Sequence, residues 1–312
     1  MTNHNDHLKA NCEKCFGLCC VALPFAASVD FAVNKDGGKP CSNLQSDYKC
    51  SIHKDLRGKG YKGCTVFECF GAGQKISQVT FNGIDWRKDA KHARKMYDAF
   101  PVMHQLHEML WYLNEAILLK ATQSIHKELS KAIEETERLS NLNADELMKV
   151  TIPLHRAEVN TLLLETSELV WKEMNTARKK RIIHRGADLM GANLKKKDLQ
   201  GANLRGAYLI AANLNGADLR GADLIGADLR DADIRGTDFT NSIFLTQVQV
   251  NAARGDKHTK LPKLCPAIAL GCVKSVKRQA EIFNLCLFSF PFKSSNENAT
   301  YNKNTTNKKV TI

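Results

Sequence analysis

The sequence predicts a multidomain α+β chain: a cysteine-rich metal-binding module (residues 1–75), a helical bundle (76–184), a short β-solenoid (185–255) and a basic tail (256–312). Three observations carry this reading. Eight of the eleven cysteines lie within the first seventy residues, apolar residues recur at helical spacing through the middle, and residues 187–246 repeat with a period of five.

The clustered cysteines are Cys12, Cys15, Cys19, Cys20, Cys41, Cys50, Cys64 and Cys69, spaced C-x2-C-x3-C-C and then x20-C-x8-C-x13-C-x4-C. A tight turn within C-x2-C or C-x3-C lets two thiolates reach one ion without closing a disulfide, so the spacing is that of metal chelation. The competing reading is a secreted disulfide framework. The opening residues, MTNHNDHLKANC, hold no apolar core of an export signal. A cytoplasmic location is therefore expected, where thiols stay reduced. The longest apolar stretches, 21–33 and 285–292, are broken by Pro24 and Asp30 or are too short for a bilayer core of about 30 Å, so no membrane anchor is expected.

Eight thiolates suit two tetrahedral zinc sites, two four-cysteine iron–sulfur clusters, or one site plus a redox pair, so the expected cofactor is zinc or iron. Adjacent Cys19 and Cys20 point different ways in most backbones and are expected in separate sites. Two zinc sites of four thiolates carry about −4 of formal charge. Lys14, Lys49, Lys54, Arg57, Lys59 and Lys62 lie close in sequence to offset it. His53, in Cys50-x2-His53, is either a further ligand or a neighbouring surface residue.

The run CxxCxxxCC from Cys12 to Cys20, followed by Pro40-Cys41-x-x-Leu44, Cys50-Ser-Ile-His53, Cys64 and Cys69, resembles the zinc- or iron-chelating cysteine-cluster family. The resemblance implies a bound metal and leaves the activity open. Some relatives of that family are flagellin lysine methylases, which makes methyl transfer an analogy. The residues themselves name no catalytic set. Radical-SAM enzymes use C-x3-C-x2-C, the reverse of the order here, and the ferredoxin run C-x2-C-x2-C-x3-C-P is absent. Gly71-Ala-Gly73-Gln74 is too short for a phosphate loop, and no helix start that would bind a phosphate is expected after it.

Between residues 85 and 183, Val102, Leu106, Met109, Leu110, Leu113 and Ile117 mark one amphipathic helix, and Ile125, Leu129, Ile133 and Leu139 a second. A third is expected from Asn143, where Asn143-Ala-Asp-Glu146 fits a capping box. It restarts after Pro153 and runs through Leu162, Leu163, Leu169, Val170 and Met174. His104 and His107 share a face with Glu108, but a zinc-protease helix needs His-Glu-x-x-His and Trp111 stands in the last position. Trp111 and Tyr112 are expected in a core or interface. The run from Arg178 to Arg181 is expected as a solvated helix end favoured by the helix dipole.

Twelve repeats, most reading Ala-Asp/Asn-Leu-x-Gly, make up the solenoid, with Leu or a substitute from Leu189 through Leu229 to Ile234, Phe239 and Phe244. Alanine stands two residues earlier except at Lys197, Thr237 and Ser242. A period of five fits neither helix nor strand, so the chain turns a corner once per repeat. Four sides close a square coil with leucines stacked on its axis, and glycines such as Gly191, Gly201 and Gly206 are expected to relieve crowding at the corners.

The pattern resembles the pentapeptide-repeat family, which implies a right-handed quadrilateral β-helix. Twelve repeats then give three coils, a stub about 15 Å long at a strand spacing of about 4.8 Å. Both ends need caps. Residues 181–184 enter the first coil, and 245–255 leave the last as a short helix or a degenerate thirteenth repeat.

The net charge is +12, from 45 basic and 33 acidic residues. Residues 185–246 hold eight of each, whereas 247–312 hold eleven basic and three acidic, so most of the surplus belongs to the tail. A neutral, short solenoid does not suit the DNA-mimicking, gyrase-binding role of some pentapeptide-repeat proteins, and nucleic acid is not an expected partner. The expected function is a non-catalytic scaffold for a protein partner, with an iron–sulfur redox or metal sensor as the alternative. Cys265, Cys272 and Cys286 form no recognised ligand set, and the last nineteen residues have a disordered composition.

Overall fold

Residues 6–75 fold as linked turns around a short helix, α1 (Leu18–Ala22), with antiparallel bridges Phe25↔Lys35 and Leu44↔Cys50 pinning two loops. The computed structural model describes residues 6–174 and 181–262, all within one compact unit, Met1–Val273. The expectations for Arg178, Lys179 and Lys180 and for the tail beyond 262 lie outside the described residues.

A short helix, α2 (Ala72–Gln74), starts after Gly71 and runs on into a π-helical turn, Lys75–Thr80. Its start is closed to a phosphate. A Cβ on Gly71 would lie 2.3 Å from the His7 carbonyl, and the Gln74 side chain binds the backbone of Asn11 and Lys9 at 2.6 and 3.0 Å.

The bundle is built on α3 (Ala90–Ile117), capped by Asp89. The helix passes through Pro101, where one backbone hydrogen bond is lost. Met96 and Phe100 before the proline and Met103 and Leu106 after it are all fully buried, so packing on both sides outweighs that loss. The remaining helices are α4 (His126–Ser140), α5 (Ala144–Leu147) and α6 (Ile152–Glu173). Asn143 accepts the Glu146 N–H at the start of α5, and Pro153 sits in the first turn of α6, where it has no intrahelical N–H to lose.

The solenoid carries four sets of parallel bridges between residues about twenty apart: 183/203/223/243, 188/208/228, 193/213/233/254 and 198/218/238/260. It therefore has four sides. Its axis is filled by leucines from Leu199 to Leu229, with Ile234 and Phe239, and by the alanines between them. The ladder extends beyond three coils, from Ile183 to Lys260, because a partial fourth turn follows the repeats. In that turn α7 (Gln247–Ala252) replaces one side and the coil resumes at Arg254. Thr246 and Gln249 form the capping box of α7, whose Val250 joins the axial core.

Two features of the repeat have local causes. In ten repeats the Asp or Asn before the leucine accepts the backbone N–H two residues on, at 3.0–3.3 Å, so its side chain closes each corner. The glycine position is left-handed in eleven of the twelve repeats, including Lys196, Ala211, Asp231 and Asn241 at φ 54–58°; the twelfth holds Thr246, at φ −100° before α7. Crowding is not the general reason for glycine there, because a Cβ on Gly186, Gly191 or Gly206 would meet nothing within 4 Å. The dihedral angle is the reason.

One side of the solenoid lies against the bundle. Ile243 and Phe244 belong to the same core as Leu18, Ile76, Phe100 and Leu163, and the Phe244 ring meets Tyr112 at 5.5 Å. Arg205 bonds Asp223 at 3.1 Å and Asn160 of α6 at 2.5 Å, all at this buried side. Arg181 is not a solvated helix end. Its side chain is 4% exposed and joins Gly201 O, Glu168 and Ser167 at 2.6–2.8 Å.

Candidate metal centre

The backbone reverses repeatedly around α1 in the segment that carries the eight cysteines. Phe16 and Gly17, both at positive φ, turn the chain between Cys15 and Cys19. The Cys41 N–H then donates to Cys20 O at 2.9 Å, and the Leu44↔Cys50 bridge closes the loop beyond. Gly73 leaves room for Cys15, whose Cβ would lie 2.9 Å from an added Cβ, and Ser77 Oγ donates to Cys15 O at 3.0 Å. Cys15 is buried, Cys12 and Cys64 are exposed, the other five are half-buried, and all eight are free thiols.

His104 and His107 serve this region without facing a metal. His104 Nε2 donates to Glu68 O and His107 Nδ1 to Phe70 O, each at 2.7 Å, so α3 clamps the two carbonyls that flank Cys69. Burial holds the His107 pKa down to about 4, which keeps its ring neutral. Their shared helical face was visible in the sequence, but that they hold backbone carbonyls was not. His53 is exposed in the turn His53–Asp55.

The thiols influence one another within two groups. Cys15 acts on Cys12 and Cys19, Cys12 acts on Cys69, and Cys69 acts on Cys15 and Cys19. Burial and then the charges of Cys20, Cys41 and Cys50 push Cys64 up to about 11, and Cys50 is likewise raised by burial and by Cys20 and Cys41. Cys12, Cys15, Cys19 and Cys69 act largely on one another, as do Cys20, Cys41, Cys50 and Cys64, although Cys12 also acts on Cys20. The two groups meet at Cys19 and Cys20, whose sulfurs are 3.9 Å apart. Hydrogen bonds from Cys12 and Cys19 favour the thiolates of Cys15 and Cys20 respectively. Among the described residues, no three Cys, His, Asp or Glu side chains are already drawn in around one ion.

The cation beside these sulfurs is Lys35, which the sequence reading missed. It is 9% exposed, and its Nζ donates to the carbonyls of Val21, Asp36 and Lys39, each at 3.0 Å. Burial lowers its pKa, while Cys41, Cys20 and Cys19 oppose that more strongly than Asp36 does. Of the six cations expected around the sulfurs, Lys62 and Arg57 turn instead to Asp231 of the solenoid, and Lys49 lies 4.0 Å from Glu13. The bridge Phe25↔Lys35 is what carries Lys35 inward, and nothing in the spacing of charged residues announces it.

The family model for pentapeptide repeats matches in eight copies over residues 185–206 and 202–241. Over 255 residues the chain is 63% identical to YybG, an uncharacterized protein of Bacillus subtilis (strain 168), covering 82% of this chain and 91% of that protein. The chain belongs to the YybG family. The aligned length far exceeds the repeats, so the kinship with YybG takes in the helical part as well. Two solved structures were also matched, each at 28% identity and a TM-score of 0.19. They are the pentapeptide repeat proteins Rfr23 from Cyanothece 51142 (28% of this chain, 68% of that one) and alr5209 from Nostoc Pcc 7120 (32% and 85%).

In this YybG-family chain the cysteine module is fastened to the third coil of the solenoid. Arg230 reaches Asp30 at 2.5 Å, Lys62 pairs with Asp231, and the Arg57 guanidinium approaches the carbonyls of Asn251 and Ala252 at 3.5 and 3.4 Å. Among the described residues, no helix is long and apolar enough to cross a membrane.

Proposed function

We propose that this chain is a metal-binding, non-catalytic scaffold of the cytoplasm. Zinc or iron is held by Cys12, Cys15, Cys19 and Cys69 and by Cys20, Cys41, Cys50 and Cys64, and the two open sides of the solenoid receive a protein partner. The observation that carries the reading is Lys35. A buried ammonium whose hydrogen bonds all go to carbonyls needs a negative neighbour, and its principal charge neighbours are thiols. A four-thiolate zinc site carries about −2 and supplies that charge. On loading, the sulfurs of each group close around the ion.

The open sides support a protein partner over a DNA-like one. Asp218 pairs with Arg220 at 2.6 Å, Asp233 with Arg235 at 2.7 Å and Asp238 with Lys260 at 2.9 Å, so the aspartate ladder is neutralised in place and does not imitate a phosphate backbone.

Metal analysis by mass spectrometry on protein purified without air tests the reading. About two equivalents of zinc or iron per chain are expected, from eight thiolates at four per site. An absorption band near about 400 nm would assign iron–sulfur clusters and a sensing role. Protein free of both metals, and unable to take up either under reducing conditions, would overturn it.

A further inference from the structure

A cleft of ≈ 400 Å³ lies where residues 66–70, α3, the third coil and α7 meet. Its walls are aromatic. Phe67 stacks on His104 with ring centres 5.3 Å apart and planes 19° from parallel, and Tyr112 lines the same space. Its charge is acidic, with Glu68, Glu108 and Asp228 against the single guanidinium of Arg230.

That guanidinium is engaged on Asp228 at 2.7 Å and Asp30 at 2.5 Å, and Glu108 already holds Arg156 at 2.8 Å. Glu68 differs. Its Oε1 accepts the Phe70 N–H at 3.1 Å, and among the described residues no lysine or arginine forms an ion pair with it. A half-buried carboxylate in an aromatic cleft, lacking a cation of its own, matches an alkylammonium group. The charged head sits on Glu68 and the carbon stem lies along the rings, where cation–π attraction adds to the ion pair.

We propose that this cleft binds a small alkylammonium, either as a free amine or as a lysyl side chain of a partner. Glu68 directly precedes Cys69 and acts on the charge of Cys12 and Cys69, so metal content is followed alongside binding.

The test is calorimetric titration of the full chain at low salt with n-butylammonium, with n-butanol as the neutral control, and in a second arm with a blocked Gly-Lys-Gly peptide. Metal content is measured in parallel, so that a failure here is separable from failure of the metal reading. Saturable binding of the amine and none of the alcohol is expected. Tighter binding of the peptide assigns a lysyl side chain, and tighter binding of the free amine assigns a metabolite. Glu68→Gln should weaken binding about tenfold or more, as loss of a charge-assisted contact does. Val248→Trp, which fills the cleft from α7, should abolish it, and this variant decides the matter if Glu68→Gln fails to fold. Equal binding of butanol, no saturable heat, or unchanged affinity in a folded Glu68→Gln or Val248→Trp protein would overturn the proposal.

Discussion

Asp231 directs one carboxylate oxygen to Lys62, 169 positions earlier in the chain, and the other to Arg57 at 3.6 Å. It occupies a position where the repeat ordinarily places glycine, at φ 57°. The departure from the repeat is therefore the attachment point of the cysteine module. Asp231→Gly removes left-handed strain of about 1 kcal/mol while losing two partly exposed ion pairs, so the single variant should change stability little. A double-mutant cycle with Lys62→Met isolates the contact. Urea unfolding should give a coupling of about 0.5–1 kcal/mol that shrinks in high salt. Strict additivity at low salt would show that the pair does not fasten the module.

The left-handed corners make a paired prediction. Gly206 sits at φ 62° in open space, and Ala211, one repeat later, holds φ 54° without being glycine. Gly206→Ala should destabilise by about 1 kcal/mol through the dihedral alone. Ala211→Gly should stabilise by less, because glycine also adds freedom to the unfolded chain. Thermal melts of both variants test this; if Gly206→Ala melts with the parent, the dihedral account of the corner glycines is wrong.

At the seam between bundle and solenoid, Glu115 accepts the Phe244 N–H at 2.7 Å while its other oxygen is buried without a partner. Burial raises its pKa to about 8 from an ordinary value of 4.5, and the nearby Asp223 adds to the shift. The folded state then binds more protons than the unfolded state between these two values. Its contribution to stability is fully present below pH 4.5 and falls as pH rises toward 8. Glu115→Gln keeps the acceptor and removes the titration. The stability difference between variant and parent should grow in the variant's favour by up to about 1.4 kcal/mol per pH unit across that window. Parallel stability curves for the two proteins from pH 5 to 8 would mean that Glu115 does not titrate there; the interval is set by the two pKa values.

The solenoid was legible because its period of five is written in every repeat, and leucine and alanine reach the axis by size alone. The Asp/Asn column was visible as well, but its purpose was not, since a hydrogen bond to the backbone two residues on leaves no mark on hydrophobic spacing. The short helix after the repeats was expected, but the return of the coil was hidden because α7 breaks the period before Arg254 and Lys260 rejoin the ladder. At the metal centre, spacing exposed the thiols readily. It misdirected the search for their counter-charge, because Lys62 and Arg57 find a carboxylate far along the chain, while Lys35 is brought inward by strand pairing between Phe25 and Lys35.

Lys35 therefore separates a metal site from a merely buried set of thiols. With metal bound, its ammonium offsets negative charge on the sulfurs, and Lys35→Met should weaken zinc binding about 10–100-fold in competition with a chromogenic chelator, as loss of a supporting group beside the ligands does. Without metal the same ammonium is a buried charge held by three carbonyl oxygens and the face of Phe25 with no carboxylate bonded to it, so the variant should be as stable as the parent or more so in chelator-treated protein. The two effects have opposite signs. A variant destabilised equally with and without metal, and unchanged in chelator competition, would make Lys35 a structural residue of the loop and remove the main support for a charged metal–thiolate centre.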